Sequence, residues 1–199
     1  VCRWCDKHGV RLIMDEIYHG LTFSKRIKSA LSYTDNVIVI NSFSKYFCMT
    51  GWRLGWMVLP EYLVPTAERL AQNMYISAAT INQLGAIAAF DCYDELDAHI
   101  PRYEENRDIL YRGLPAEFLG NYAPSDGAFY LYADVSALTN DSIAFAERIL
   151  TDTGVAITPG VDFDAVDGPS HMRLSYAGTT QDMKKAIQRL NEWLAGQGR

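Results

Sequence analysis

Two short apolar runs bounded by polar segments stand out early, Val10 to Met14 and Asn36 to Asn41, the second built on Val37-Ile38-Val39-Ile40. Each reads as a strand buried on both faces, the kind that parallel sheets contain. Trp56-Met57-Val58-Leu59 is a third candidate strand, stopped by Pro60. Near Glu61 the pattern turns helical, over Glu61 to Tyr75, Ile81 to Cys92 and Pro101 to Arg112, with Pro101 suited to a first helical turn. The last third mixes periods. Gly127 to Val135 alternates as a strand, Asp141 to Thr153 is helical, and Val155 to Thr158 and His171 to Tyr176 look extended. The final helix is the clearest: Thr179 or Thr180 caps it, Asp182 sits in its positive first turn, and Met183, Ile187, Leu190 and Leu194 form one apolar stripe.

Composition sets bounds. The chain of 199 residues is 49% hydrophobic and 21% charged, the balance of a globular protein with a sizeable core. Its formal charge of −6 gives little reason for a general affinity for nucleic acid or anionic membrane, which need a positive surface. Lys25, Arg26 and Lys28 read as a solvated turn. No stretch approaches the roughly 20 apolar residues that span a bilayer, and no apolar signal core opens the chain, so the expectation is a cytoplasmic protein. Cys2 and Cys5 lack a second pair at zinc-site spacing, and with Cys48 and Cys92 they are expected to be reduced and structural. The opening Val-Cys-Arg-Trp-Cys-Asp-Lys-His-Gly has no initiator Met and reads as the last turns of a helix ending at Gly9.

Ligands in open α/β sheets bind beyond the carboxyl ends of the strands, so the residues there come first. One strand candidate ends in Asp15-Glu16-Ile17-Tyr18-His19 and the next in Asn41-Ser42-Phe43-Ser44-Lys45. Thr50-Gly51-Trp52-Arg53-Leu54-Gly55 follows, with two glycines that allow close backbone approach and an arginine fork. Read separately, each piece has an ordinary explanation: a solvated lysine, an Asp that closes a turn, a tight turn. Together they make a chemical set. Hydroxyls and a guanidinium suit a phosphate, a lysine amine forms a Schiff base with an aldehyde, and a carboxylate keeps a pyridine nitrogen protonated. Those requirements describe pyridoxal 5'-phosphate.

Asp15-Glu16-Ile17-Tyr18, Ser42-Phe43-Ser44-Lys45 and Met49-Thr50-Gly51-Trp52-Arg53-Leu54-Gly55, in that order, closely resemble the class I/II aminotransferases of the aspartate aminotransferase fold. The likeness continues through Gly127-Ala128-Phe129-Tyr130, Pro159-Gly160 and Arg173-Leu174-Ser175-Tyr176-Ala177, and it covers the chain as the C-terminal half of such an enzyme. The resemblance implies an α/β fold, with part of a mostly parallel sheet from a large cofactor-binding domain over residues 1–60. Connecting helices would follow over 61–93, then a smaller α/β domain with a short antiparallel sheet over 94–199.

It also implies roles. Lys45 would be the Schiff-base lysine that moves the substrate Cα proton, Asp15 the partner of the pyridinium nitrogen, and Tyr18 the donor to the cofactor's phenolic oxygen. Ser42, Ser44 and Arg53 would contact the phosphate. Arg173 would hold the substrate α-carboxylate through its bidentate fork. Phe129 and Tyr130 fit either a pocket lining or core, and His19 fits a structural or surface role. The expected activity is exchange of an amino group between an amino acid and a 2-oxo acid in a homodimer, with no metal. A pyridoxal-phosphate carbon–sulfur β-lyase and a non-catalytic truncated module are the alternatives, because the same residues serve all three.

Two departures from the family pattern matter. Phe163 is followed by Asp164 where a Phe-Gly pair is usual, which leaves the loop conformation open. No Arg occurs between Met74 and Pro101, where dicarboxylate-specific members carry one, so a strict aspartate preference is not expected. The family's other phosphate loop, stacking aromatic ring and Asn beside the phenolic oxygen have no counterpart in these residues.

Overall fold

The computed structural model describes residues 1–23 and 27–197, so Lys25 and Arg26 of the expected basic turn lie outside the described residues. The chain divides into two compact units, Val1–Ala98 and His99–Arg199. The helices between Glu61 and Asp97 fall within the first unit.

In the first unit, α1 (Cys2–His8) ends where Gly9 adopts a left-handed φ of 65°, a conformation that costs glycine little. Strand β1 (Leu12–Asp15) pairs in parallel with β2 (Val37–Ser42), and β2 pairs antiparallel with β3 (Gly55–Val58). The three strands therefore hold one pair of each kind, where the sequence led us to expect a mostly parallel sheet. The cause is the link 43–54, which contains a 3-10 turn at Thr50–Trp52 and no helix to carry a parallel crossover. The apolar runs are also buried on one face only. Val37 and Val39 pack with Ala30, Leu12 and Met14, whereas Ile13, Ile40 and Met57 on the other face stay exposed among the described residues. Strand alternation separates the two sets.

The expected helix from Glu61 is split into a 3-10 turn (Glu61–Leu63) and α2 (Val64–Met74), with Pro65 in the first turn, where its missing N–H does no harm. α3 (Thr80–Ala89) and a short α4 (Tyr93–Asp97) complete the unit. A second core joins Phe43 and Met49 to Ala86 of α3, with Phe47, Leu54 and Trp56 around them. This core lies directly beneath the segment that carries Lys45.

The second unit is built from α5 (Ile100–Gly113), α6 (Ala116–Leu119), β4 (Tyr130–Asp134), α7 (Ser142–Thr153), β5 (Thr158–Pro159), β6 (His171–Ser175) and α8 (Thr180–Gln197). Its sheet has the order β4-β6-β5 and is antiparallel throughout. Asp141 caps α7 by accepting the Ala144 N–H at 3.1 Å, and Gly154 ends that helix with φ 69°. At the start of α8, Thr179 accepts the Asp182 N–H at 3.1 Å and donates to Asp182 Oδ2 at 2.7 Å. Fully buried Asn106 of α5 crosses to the far end of β6, where its Nδ2 donates to the carbonyls of Tyr176 at 2.9 Å and Gly178 at 3.0 Å. No helix among the described residues is long and apolar enough to cross a membrane.

Candidate active site

Strand direction assembles the site in the first unit. β1 and β2 run parallel with Asp15 opposite Ile40, so Asp15 at the end of β1 and Ser42 at the end of β2 share one sheet edge. β3 starts at that edge, because Gly55 pairs with Ser42. A Cβ at Gly55 would stand 2.7 Å from the Asn41 carbonyl oxygen, so the close approach of β3 requires glycine. The register therefore delivers Asp15, Ser42 and the Arg53–Gly55 segment to the same edge, with Tyr18, Ser44 and Lys45 on the loops that leave it.

The lysine loop is tightly tied. The Phe43 N–H donates to the Leu54 carbonyl at 3.1 Å, the Met49 N–H to the Phe43 carbonyl at 3.0 Å, and the Cys48 N–H to the Lys45 carbonyl at 3.1 Å. Ser42 Oγ lies 3.0 Å from Ser44 Oγ and accepts the Ser44 N–H at 3.0 Å, so the two hydroxyls sit side by side. The Lys45 ammonium lies 5.9 Å from the centre of the Tyr18 ring, which joins the two motifs directly. Arg53 has φ 50°, a left-handed conformation uncommon for a side chain other than glycine, and its guanidinium donates to the Thr50 carbonyl at 2.9 Å. Strain of this kind persists only where the surroundings enforce it. Here the neighbouring Trp52 carbonyl accepts from Asn82 Nδ2 at 2.6 Å, and the Trp52 ring lies against Gly85, where a Cβ would meet it at 2.5 Å.

Asp15 Oδ1 accepts the Ile17 N–H at 3.1 Å, which turns the chain sharply out of β1. Glu16, by contrast, is buried. Its Oε1 accepts from Ser29 Oγ at 3.1 Å and the Ala30 N–H at 2.8 Å, and its Oε2 lies 3.2 Å from His19 Nδ1. His19 thus has a structural partner, and Glu16 pins the turn that presents Tyr18.

Arg173 lies on β6 in the second unit, opposite Tyr132 on β4 and Thr158 on β5. Its guanidinium carbon stands 4.3 Å from the Tyr130 ring centre and 4.0 Å from that of Phe163, so two aromatic rings hold it. Its Nε is buried without a hydrogen-bond partner among the described residues. A guanidinium held by its faces keeps its edge for a planar anion such as a carboxylate. The loop beside it is closed by Asp164, whose Oδ1 accepts the N–H groups of Val166 at 2.8 Å and Asp167 at 3.1 Å. Those two backbone donors hold its carboxyl below the ordinary carboxylate range. Where the usual glycine is absent, a side-chain turn therefore shapes the loop.

Spacing in the sequence marks neither Glu16 nor Tyr46 as part of this arrangement. The Tyr46 hydroxyl donates to Asp97 Oδ1 at 2.6 Å, a partner 51 residues away, and no short-range pattern announces such a bond.

The fold and the site define the class: an α/β protein that presents a lysine, a carboxylate, hydroxyls and an arginine at the carboxyl edge of a sheet. The family model "Aminotransferase class I and II" matches residues 1–190, and the chain belongs to that family. It is 43% identical to the valine–pyruvate aminotransferase of Mycobacterium tuberculosis over 99% of this chain and 52% of that protein. Identity to the aspartate aminotransferase of Sulfurisphaera tokodaii is 34%, over 93% of this chain and 48% of the relative. The crystal structure of an aminotransferase from Mycobacterium tuberculosis superposes with a TM-score of 0.92 at 44% identity, covering 98% of this chain and 51% of that one. The chain thus spans about half the length of the relatives it matches.

Proposed function

We propose that the protein containing this chain is a pyridoxal-phosphate-dependent aminotransferase that exchanges an amino group between an amino acid and a 2-oxo acid. The observation that carries the reading is the strand register, which brings Asp15, Ser42 and the Arg53 segment to one edge, in a chain of the aminotransferase family. The donor set fits the group. The paired hydroxyls of Ser42 and Ser44 and the Arg53 guanidinium match a phosphate, the Lys45 amine an aldehyde, and the Asp15 carboxylate a pyridinium nitrogen.

When bound, the cofactor supplies an electron sink that stabilises negative charge at the amino-acid Cα. Asp15 holds the proton on the ring nitrogen, and Tyr18 donates to the phenolic oxygen. Arg173 binds the α-carboxylate and so orients the Cα–H bond. Lys45 would accept the proton from Cα and deliver it to the cofactor's C4′ carbon, a general base and acid in turn. A cytoplasmic homodimer is the assembly that goes with this reading.

The test is direct. With pyridoxal 5'-phosphate added, borohydride reduction should fix the label on the Lys45 peptide of the unsubstituted protein and not of Lys45→Ala. Half-reactions of the intact enzyme should be screened from valine and pyruvate outward, the pair in the name of the Mycobacterium tuberculosis relative. Pyruvate and ammonia formed without an oxo-acid acceptor would instead establish β-elimination and overturn the transfer reading.

A further inference from the structure

We propose that Tyr46 and Asp97 are positioning residues for Lys45, acting as a clamp that fixes the lysine loop against the Tyr18 turn. The inference rests on the reading of Lys45 as the cofactor lysine, but the clamp itself is measurable without cofactor.

Four contacts converge on the side chain that immediately follows Lys45. The Tyr46 hydroxyl donates to Asp97 Oδ1 at 2.6 Å, which ties the loop to the end of α4. The Tyr46 ring lies over Gly20, where a Cβ would stand 2.5 Å from the ring carbon Cδ2. Gly20 follows Tyr18 and His19 and has φ 92°, a backbone state that side-chain-bearing residues avoid. The turn after β1 and the loop after β2 are thus held ring against backbone, one residue past Lys45 and two past Tyr18. Tyr46 also packs edge-on against Phe47 at 5.1 Å and, tilted, against Tyr93 at 6.2 Å, so it is a buried member of the aromatic cluster beneath the loop.

The bond suits the task. Tyr46 is only 8% exposed, and burial together with Asp97 pushes its phenol above the ordinary tyrosine value. The hydroxyl therefore stays protonated and keeps donating. Lys45 has backbone restraint from the Cys48 N–H and its ammonium lies 5.9 Å from the Tyr18 ring centre, so the placement of residues 45–47 against the Tyr18 turn bears on that approach. Tyr46 holds that placement through Asp97 on one side and Gly20 on the other. It touches neither cofactor nor substrate in this reading, so its influence is exerted through Lys45.

The test follows trace acetylation of Lys45 in the chain without cofactor, by mass spectrometry at fixed pH, with Lys184 of α8 as the internal reference. Tyr46→Phe, which removes one oxygen, and Asp97→Leu should each raise Lys45 labelling relative to Lys184 about tenfold or more, the population change expected when one hydrogen bond to a charged group is lost. The double variant should go no further, because both changes break one bond. Asp97→Asn, which keeps an acceptor, should stay near the unsubstituted rate.

An unchanged rate in Tyr46→Phe, or fully additive effects in the double variant, overturns the clamp. If Asp97→Leu unfolds α4, the Tyr46→Phe result decides alone. Borohydride trapping of pyridoxal 5'-phosphate on Lys45 is read separately. Its failure would overturn the cofactor assignment and leave the labelling result standing.

Discussion

Asn106 offers the sharpest test of how the Arg173 strand is held. Its side chain is fully buried and donates both N–H groups of one amide, at 2.9 Å to Tyr176 and 3.0 Å to Gly178. Two acceptors on one nitrogen fix the orientation of the amide. Asn106→Ala removes two bonds worth about 1 kcal/mol net each and leaves two carbonyls inside the fold, so the loss should be about 2–4 kcal/mol. Asn106→Asp should behave differently, since it turns a carboxylate oxygen toward two carbonyl oxygens. Burial and that repulsion raise the folded-state pKa of the introduced carboxyl. Its stability is then nearest to normal below about pH 4, where folded and unfolded forms are both protonated, and falls as pH rises through the folded-state value. Hydrogen exchange of the 171–178 segment, read against urea at pH 4, 5.5 and 7, measures both effects. An Asn106→Ala loss under about 0.5 kcal/mol, or an Asn106→Asp deficit that does not grow with pH, refutes the reasoning.

Three further outcomes follow from other contacts. Asp141→Ala should destabilise the second unit by about 1 kcal/mol, seen as a lower urea midpoint, because the Ala144 N–H loses its cap. Gly20→Ala should cost about 2 kcal/mol or more, since it adds a methyl against the Tyr46 ring at a φ of 92°, and far-UV circular dichroism during urea unfolding would show it. Tyr176 is fully buried and bonded to Ser125, and burial pushes its phenol up to about 12. Its contribution is complete below about pH 10, where unfolded tyrosine is still protonated, and is lost between there and about 12. The unfolding midpoint should fall across that window, less steeply in Tyr176→Phe.

What the sequence made legible was local. The ends of β1 and β2, the glycine that closes α1, the proline that opens α5 and the cap of α8 each depend on residues within a few positions of one another. The candidate site was legible for the same reason, since Asp15 to Tyr18 and Ser42 to Lys45 are short strings at strand ends. Sheet sense was not. Whether β3 returns parallel or antiparallel depends on what fills the link 43–54, and apolarity alone does not reveal it. The same holds for burial. Ile13 and Ile40 are as apolar as Val37 and Val39, yet only the second pair is covered, because alternation sends the two sets to opposite faces. Contacts across long separations left no mark either, whether Tyr46 to Asp97 at 51 residues or Asn106 to Tyr176 at 70.

Each unit holds its own candidate residue through contacts internal to that unit. Lys45 is oriented by the aromatic cluster of Phe43, Phe47, Trp56 and Phe90 and by the Tyr46–Asp97 bond. Arg173 is oriented by Tyr130, by Phe163 and by the strand that Asn106 anchors. A fault in either set should register in a different measurement, because the contacts that hold Lys45 lie in the first unit and those that hold Arg173 in the second. Loosening the Asn106 anchor should weaken recognition of a carboxylate and leave borohydride trapping on Lys45 intact. Loosening the Tyr46 clamp should alter Lys45 reactivity with hydrogen exchange of 171–178 unchanged. A single substitution that moved both readouts together would show that the two units share one cooperative structure, and independent positioning of lysine and arginine would have to be given up.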